Sequence, residues 1–206
     1  MQGRPRLDKD ARRDAILDVA EDVFVTEGFA AASMSEIAAR LGGSKGTLYN
    51  YFKSKEELFE AYVLRRCLLN MDDIYALPPG GEGMAETLIR IGRAYLRRVL
   101  SDENLRHFRL IIAEAERYPE IGKAFYEAGP GRGAQRLADE IRLWAQAGKL
   151  EVDDPTMAAF HFTGLCQNRY MKARLCNYLP ELTSDQIEAE VDAAVKTFLR
   201  AYGPRG

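Results

Sequence analysis

Between positions 37 and 55 every charged side chain is basic: Arg40, Lys45, Lys53 and Lys55 stand with no acid among them. Arg4 and Arg6 precede the first acid, Asp8. The whole chain carries 29 basic and 31 acidic side chains, a formal charge of −2, so any positive potential is local. A local basic surface on a near-neutral protein suits a small nucleic-acid-binding face. Charge alone fits an ordinary solvated helix end equally well.

Other chemistries find little support. His107 and His161 have no metal-ligand spacing to each other or to a cysteine pair. The three cysteines, Cys67, Cys166 and Cys176, are few and odd in number, which fits buried thiols in a reducing cytoplasm better than a disulfide framework. A thiol switch stays open, though nothing beside these residues argues for one. Glu114 and Glu116 lie two apart on a predicted helix and do not face each other. Local sequence suggests no Ser-His-Asp or Cys-His pairing. Pro78-Pro-Gly-Gly-Glu-Gly83 is a loop or hinge and not a phosphate loop, because no Gly-Lys-Ser/Thr follows. No cofactor or metal is expected.

The 206 residues, 47% hydrophobic and 29% charged, suffice for one or two globular domains with an apolar core. No run approaches the roughly 18 apolar residues of a membrane span. The polar, basic N-terminus does not read as a secretory signal, so a cytoplasmic protein is expected.

Almost every segment has helical periodicity. Ile16, Val19, Ala20, Val23 and Phe24 recur at three- and four-residue steps and Gly28 stops that helix. Ser33-Met-Ser-Glu36 has capping-box spacing and predicts a short helix from Met34, ending at Gly42-Gly43. Ser44 is set to cap a third helix to about Phe52, and Ser54-Lys-Glu-Glu57 to open a long fourth one. Further helices are predicted over 84–100, 103–116, 121–127, 133–147, 155–178 and from Thr183-Ser-Asp-Gln186 to about Tyr202. Asp154-Pro155 and Pro180 bracket the penultimate one. Alternating strand patterns and repeats are lacking, so the predicted class is all-α.

Residues 34–52 fit a helix-turn-helix. Ala38 is small enough for helices to cross, Gly42 accepts the left-handed turn conformation, and Leu48 faces inward to lock the pair. Many helical hairpins satisfy that pattern. Ser44-Lys-Gly-Thr-Leu-Tyr-Asn-Tyr-Phe-Lys-Ser-Lys-Glu-Glu-Leu58 is more specific and is similar to the signature of the TetR family of transcriptional regulators. Ala20 to Gly28, with Phe24 and Gly28-Phe29, resembles the family's first helix and its end; the resemblance covers roughly residues 10–60. Gly43, where the family often has valine, departs from it.

The resemblance implies a helix-turn-helix DNA-binding domain over 1–54 and a larger helical effector-binding and dimerisation domain over 55–206. Helix three then reads the major groove. Ser44, Lys45, Gly46 and Thr47 approach DNA at its N-terminal end, where backbone N–H groups favour phosphate. Tyr49, Asn50 and Tyr51 face the groove or its rim, with Asn50 the best base reader. Ser33, Lys53 and Lys55 hold phosphates, and Arg4 and Arg6 reach along the duplex.

Arg109-Leu-Ile-Ile-Ala-Glu-Ala-Glu-Arg-Tyr-Pro-Glu-Ile-Gly-Lys-Ala-Phe-Tyr126 resembles the subgroup of AefR- and AcrR-like repressors. In the last helix Ile187, Val191, Val195, Phe198 and Tyr202 form one stripe; the preceding helix offers Phe162, Leu165, Cys166 and Tyr170. Paired with symmetry mates these make a self-complementary four-helix interface; turned inward they make the chain's own core. The family places its effector pocket inside the C-terminal helices, with Cys67, Met71, Phe108, Ile112, Phe125, Trp144, Phe160, His161 and Asn168 as candidates here. Apolar walls with a few polar groups suit a lipophilic or aromatic effector. The expected protein is a homodimeric repressor that binds a near-palindromic operator and is released by such an effector. The rival expectation is a helical carrier or enzyme acting on a lipophilic molecule without sequence-specific DNA binding.

Overall fold

A computed structural model describes residues 7–75 and 83–204. Arg4, Arg6 and positions 78–82 of the expected hinge lie outside the described residues. Within them the chain is helical without a strand: α1 (Leu7–Glu27), α2 (Met34–Arg40), α3 (Lys45–Tyr49), α4 (Lys55–Tyr75), α5 (Met84–Val99), α6 (Asp102–Ala115), α7 (Pro119–Tyr126), a π-helical turn (Glu127–Gly131), α8 (Arg132–Gln146), α9 (Pro155–Leu175) and α10 (Ser184–Tyr202). No helix among the described residues is long and apolar enough to cross a membrane.

Five of the ten described α-helices start at a cap the sequence predicts. The Ser33 hydroxyl accepts the Glu36 N–H at 3.2 Å, and Ser44 accepts the Thr47 N–H at 3.2 Å. Asp154 accepts from Thr156 and Met157 at 2.9 and 3.0 Å, with Pro155 at the first helical position. Thr183 and Gln186 close a full capping box. Such caps satisfy donors that a helix leaves open, and each stabilises by about 1 kcal/mol. At Ser54 the box is displaced: Ser54 accepts the Glu57 N–H at 3.1 Å, but the Glu57 carboxylate accepts from Lys53, not Ser54.

Beyond shifts of one or two residues, three helix boundaries differ from expectation. α3 stops at Tyr49 instead of Phe52, with Asn50 as its C-cap. α9 stops at Leu175 instead of 178, because Asn177 adopts a left-handed conformation (φ 56°) that asparagine tolerates at a helix C-terminus. The predicted break between 127 and 133 is a continuous helical path whose π turn carries Pro130. Proline lacks the N–H an α-helical ladder would use there, and the wider π register absorbs that gap.

The chain forms two compact units. The first comprises the chain to Arg66 together with Arg106–Phe125; the second comprises Cys67–Leu105 and Tyr126 onward. Packing thus carries the first unit beyond the expected boundary at 54. The reason is an aromatic cluster: Phe24 meets Phe59 edge-on at 4.9 Å, Phe29 lies 4.7 Å from Phe59, and Tyr118 meets Phe29 at 5.1 Å. Each such pair adds about 0.5–1.5 kcal/mol beyond its buried area. In the same unit the Tyr62 hydroxyl pairs with His107 Nδ1, and Glu21 lies 3.5 Å from His107 Nε2 and 3.1 Å from Arg65.

In the second unit α5, α9 and α10 pack together, and α8 lies on α9. Their shared core holds Phe162, Cys166, Val191 and Phe198, which have no exposed surface, and Tyr170, Ile187 and Val195, which are buried. Phe162 and Phe198 meet edge-on at 5.5 Å. Seven of the nine residues expected at the dimer face, these seven, are buried within the chain, where α5 packs on α9 and α10. Leu165 alone of that set is exposed, and Tyr202 is half-buried. Arg174 anchors the end of α9. It donates to the Leu100 carbonyl at 3.1 Å, the Leu179 carbonyl at 2.8 Å and Asp102 at 2.6 Å.

Candidate nucleic-acid interface

The α2–α3 pair is seated from below and bare above. Ile37, Ala38 and Leu48 are buried, as is Phe52 just past α3. The Arg13 guanidinium of α1 lies 5.2 Å from the Phe52 ring centre. Between the helices Gly42 takes φ +68°, a conformation costly for any side chain but glycine. Gly43 has no such need, but a Cβ there would lie 3.2 Å from the Arg12 guanidinium. Glycine at the position where a valine was expected leaves room for that arginine.

Against this seated face, Ser44, Lys45, Gly46, Tyr49, Asn50 and Lys53 are exposed, and Thr47 and Tyr51 half-buried. Tyr49 is 49% exposed, so it is not packed away against α1. The Ser44 and Thr47 hydroxyls lie 3.0 Å apart at the N-terminus of α3. The surface therefore offers hydroxyl, amide, phenol and ammonium groups on one short helix and its flanks. Those groups suit phosphate oxygens and base edges.

Two of the four basic side chains between 37 and 55 are engaged within the protein. Arg40 pairs with Glu27 and, at 2.7 Å, with Glu36. The second of these contacts was readable as an i,i+4 pair on α2. Lys55 turns inward: its ammonium donates to the carbonyls of Phe29 at 2.6 Å, Ala32 at 3.0 Å and Ala30 at 3.3 Å. It is thus the expected phosphate contact that the structure places elsewhere. Among the described residues, Lys45 and Lys53 stay exposed, and Arg12 beside Gly43 and Arg13 over Phe52 add charge from α1 that the motif reading did not include.

The residues expected at the effector pocket fall in both units. In the first unit Phe108 and Phe125 face each other at 5.4 Å, while Ile112 is exposed. In the second, Cys67 is buried and Trp144 half-buried against the core, but Phe160, His161 and Asn168 lie on the outer side of α9. His161 Nδ1 is 2.5 Å from the Tyr202 hydroxyl. The second unit has a cavity of about 400 Å³ between the end of α4 and the start of α8, lined among others by Met71, Tyr75, Arg132 and Arg136. Met71 is the only expected pocket residue on it. Tyr75 donates to the Gly133 carbonyl at 2.7 Å under the Arg136 guanidinium, and burial pushes its phenol up to about 12. Arg132 and Arg136, one helical turn apart, had no signal in the sequence beyond ordinary surface charge.

A helix-turn-helix pair within an all-helical chain is an arrangement that transcriptional regulators share. The family models agree in two places. Residues 16–62 match "bacterial regulatory proteins, tetR family", and residues 86–204 match "AefR-like transcriptional repressor, C-terminal domain". A putative TetR-family transcriptional regulator from Mesorhizobium loti superposes with TM-score 0.87 at 29% identity, covering 98% of this chain and all of that one. The flavonoid-responsive regulator FrrA superposes with TM-score 0.84 at 35% identity, over 96% of this chain and 100% of its own. The transcriptional activator FasR of Mycolicibacterium smegmatis is 50% identical over 66 residues, 32% of this chain and 30% of FasR. The chain belongs to the TetR family of transcriptional regulators. It spans less than a third of the length of the curated relatives it matches.

Proposed function

We propose that the protein is a cytoplasmic, ligand-responsive repressor that binds a near-palindromic operator as a homodimer and leaves it when a small lipophilic or aromatic effector binds. The observation that carries this is the exposed α3 surface, Ser44 to Asn50, held on a buried base of Leu48 and Phe52. Asn50 reads a base edge, while Ser33, Ser44, Lys45, Thr47 and Lys53 hold the backbone. Functionally the chain divides near 54 into a reading head and an effector-binding, dimerising part. Repression rather than activation rests on the AefR-like repressor match, since FasR is an activator.

FrrA is flavonoid-responsive, which supports an aromatic effector. The cavity by Met71, Tyr75, Arg132 and Arg136 is the candidate site, where a flat ring system with hydroxyls would find apolar contact and, around it, both guanidinium and carboxylate partners, the latter from Asp72 and Asp139. Dimerisation is reassigned to the outer face of α9, where Met157, Phe160 and Leu165 are exposed and Gly164 allows close approach. An effector releases the operator only through its differential affinity for the DNA-free state; a 100-fold preference is worth about 2.7 kcal/mol.

The test is footprinting on genomic fragments selected by the wild-type protein, with and without flavonoids. One or two protected palindromic sites that vanish with effector are expected. A continuous smear of protection at every salt concentration would refute operator recognition. Protection that ignores all effectors would refute ligand response alone.

A further inference from the structure

The strongest unassigned contact in the reading head belongs to the first residue of α4. An ammonium has three donor protons, and the Lys55 group meets three carbonyls, those of Phe29, Ala30 and Ala32. The same nitrogen stands 4.4 Å from the Phe29 ring centre. All three carbonyls belong to the stretch that joins α1, ending at Glu27, to the Ser33 cap of α2. Backbone closure within that stretch runs from the Ala32 N–H to the Gly28 carbonyl at 3.2 Å. Phe29 anchors the connection by its ring, against Phe24, Phe59 and Tyr118, and Lys55 adds three bonds to its backbone from outside.

The geometry selects lysine. Three carbonyls that converge on one point match a tetrahedral ammonium, while a planar guanidinium spreads its donors in one plane. Where the connection sits decides where α2 begins, and α2 packs against α3, with Ala38 and Leu48 both buried. We propose that Lys55 is a positioning residue for DNA recognition: it sets the α1–α2 connection, and through it the orientation of the reading head, without touching a phosphate. This rests on the reading of α3 as the DNA-reading helix.

The two roles differ in salt dependence. A phosphate contact releases about one counterion, so its loss flattens the slope of log K against log salt by about one for every sequence. Loss of a positioning contact leaves the slope and lowers discrimination. The experiment uses the full chain and two duplexes: one selected from genomic DNA by wild-type protein, and a scrambled control. Both are titrated by fluorescence anisotropy across a salt series. Lys55→Met keeps the apolar stem over Phe29 and removes the three bonds. It should weaken the selected duplex about tenfold or more, change the scrambled one little, and keep the wild-type slope. Lys55→Arg keeps the charge and should fail to restore discrimination; it carries the test if the methionine variant does not fold. Lys53→Met is the comparison, weakening both duplexes alike and flattening the slope.

A Lys55→Met slope flattened by about one, with equal loss on both duplexes, would make Lys55 a phosphate ligand and overturn the proposal. So would unchanged discrimination with only a lower melting temperature. Failure of wild-type protein to distinguish the two duplexes would refute the α3 reading itself, a result separate from either.

Discussion

Gly92 on α5 and Val191 on α10 approach so closely that a Cβ on the glycine would lie 2.8 Å from Val191 Cγ1 and 3.3 Å from Phe162. Glycine in a helix interior ordinarily costs about 1 kcal/mol against alanine. Here the contact reverses that sign, because overpacking a close-packed core costs about 1–3 kcal/mol. Gly92→Ala should therefore lower the urea midpoint, and adding Val191→Ala should recover part of the loss. A stabilised single variant would show that α5 and α10 can move apart freely.

Arg174, 3% exposed, ties the end of α9 to the α5–α6 turn through the Leu100 carbonyl and to the chain after α9 through the Leu179 carbonyl. Arg174→Met fills similar space but strands those carbonyls, at a cost of about 3 kcal/mol. Asp102 is largely exposed, so Asp102→Asn should cost less than about 1 kcal/mol. Thermal melts of both variants measure the difference. Equal losses would mean the ion pair, not the carbonyl bonds, holds the turn.

Cys166 is buried, and burial, assisted by the negative charge of Glu190, pushes its thiol from the ordinary 9.0 up to about 12. The folded state keeps that proton between pH 9 and 12, where the unfolded chain has lost it. Stability is therefore full below pH 9 and declines as pH rises through about 12. Denaturant titrations should show this alkaline decline and show it shallower in Cys166→Val. At pH 8 a thiol reagent should label the exposed Cys176 rapidly and Cys67 and Cys166 only after unfolding.

Phe160 and Phe162 stand two residues apart with opposite surroundings. Phe160 is 40% exposed, and Phe162 lies wholly in the core. Phe160→Glu should yield a folded monomer by light scattering, with unchanged helical circular dichroism. Phe162→Ala should leave association intact and destabilise the fold by about 3–5 kcal/mol. A Phe160→Glu protein that stays dimeric would move the interface off this face.

Capping and periodicity carried much of the secondary structure into the sequence. Ser33, Ser44, Asp154 and Thr183 each sit where their side chains meet backbone N–H groups. What they could not convey was which face of a helix finds a partner inside the chain. Val191 and Phe198 make the same stripe whether it meets α5 or a second copy, and only the path of α5 decides. Lys55 fails for a related reason: a lysine at a helix start reads as surface charge, and its three carbonyls lie 23 to 26 residues away in sequence. The cavity by Arg132 and Arg136 depends on where α8 meets α4, which no local pattern contains.

The brevity of α3 has a bearing on the genome this regulator searches. Five helical residues rise about 7.5 Å, close to two base-pair steps of about 3.4 Å. A head that short spells only a few letters, and words of that length recur thousands of times along a bacterial chromosome. On the proposed homodimeric reading, selectivity then comes from the spacing between two such words and from the duplex shape that holds them at that distance. A consensus drawn from its target sites should accordingly be sparse in letters and strict in separation.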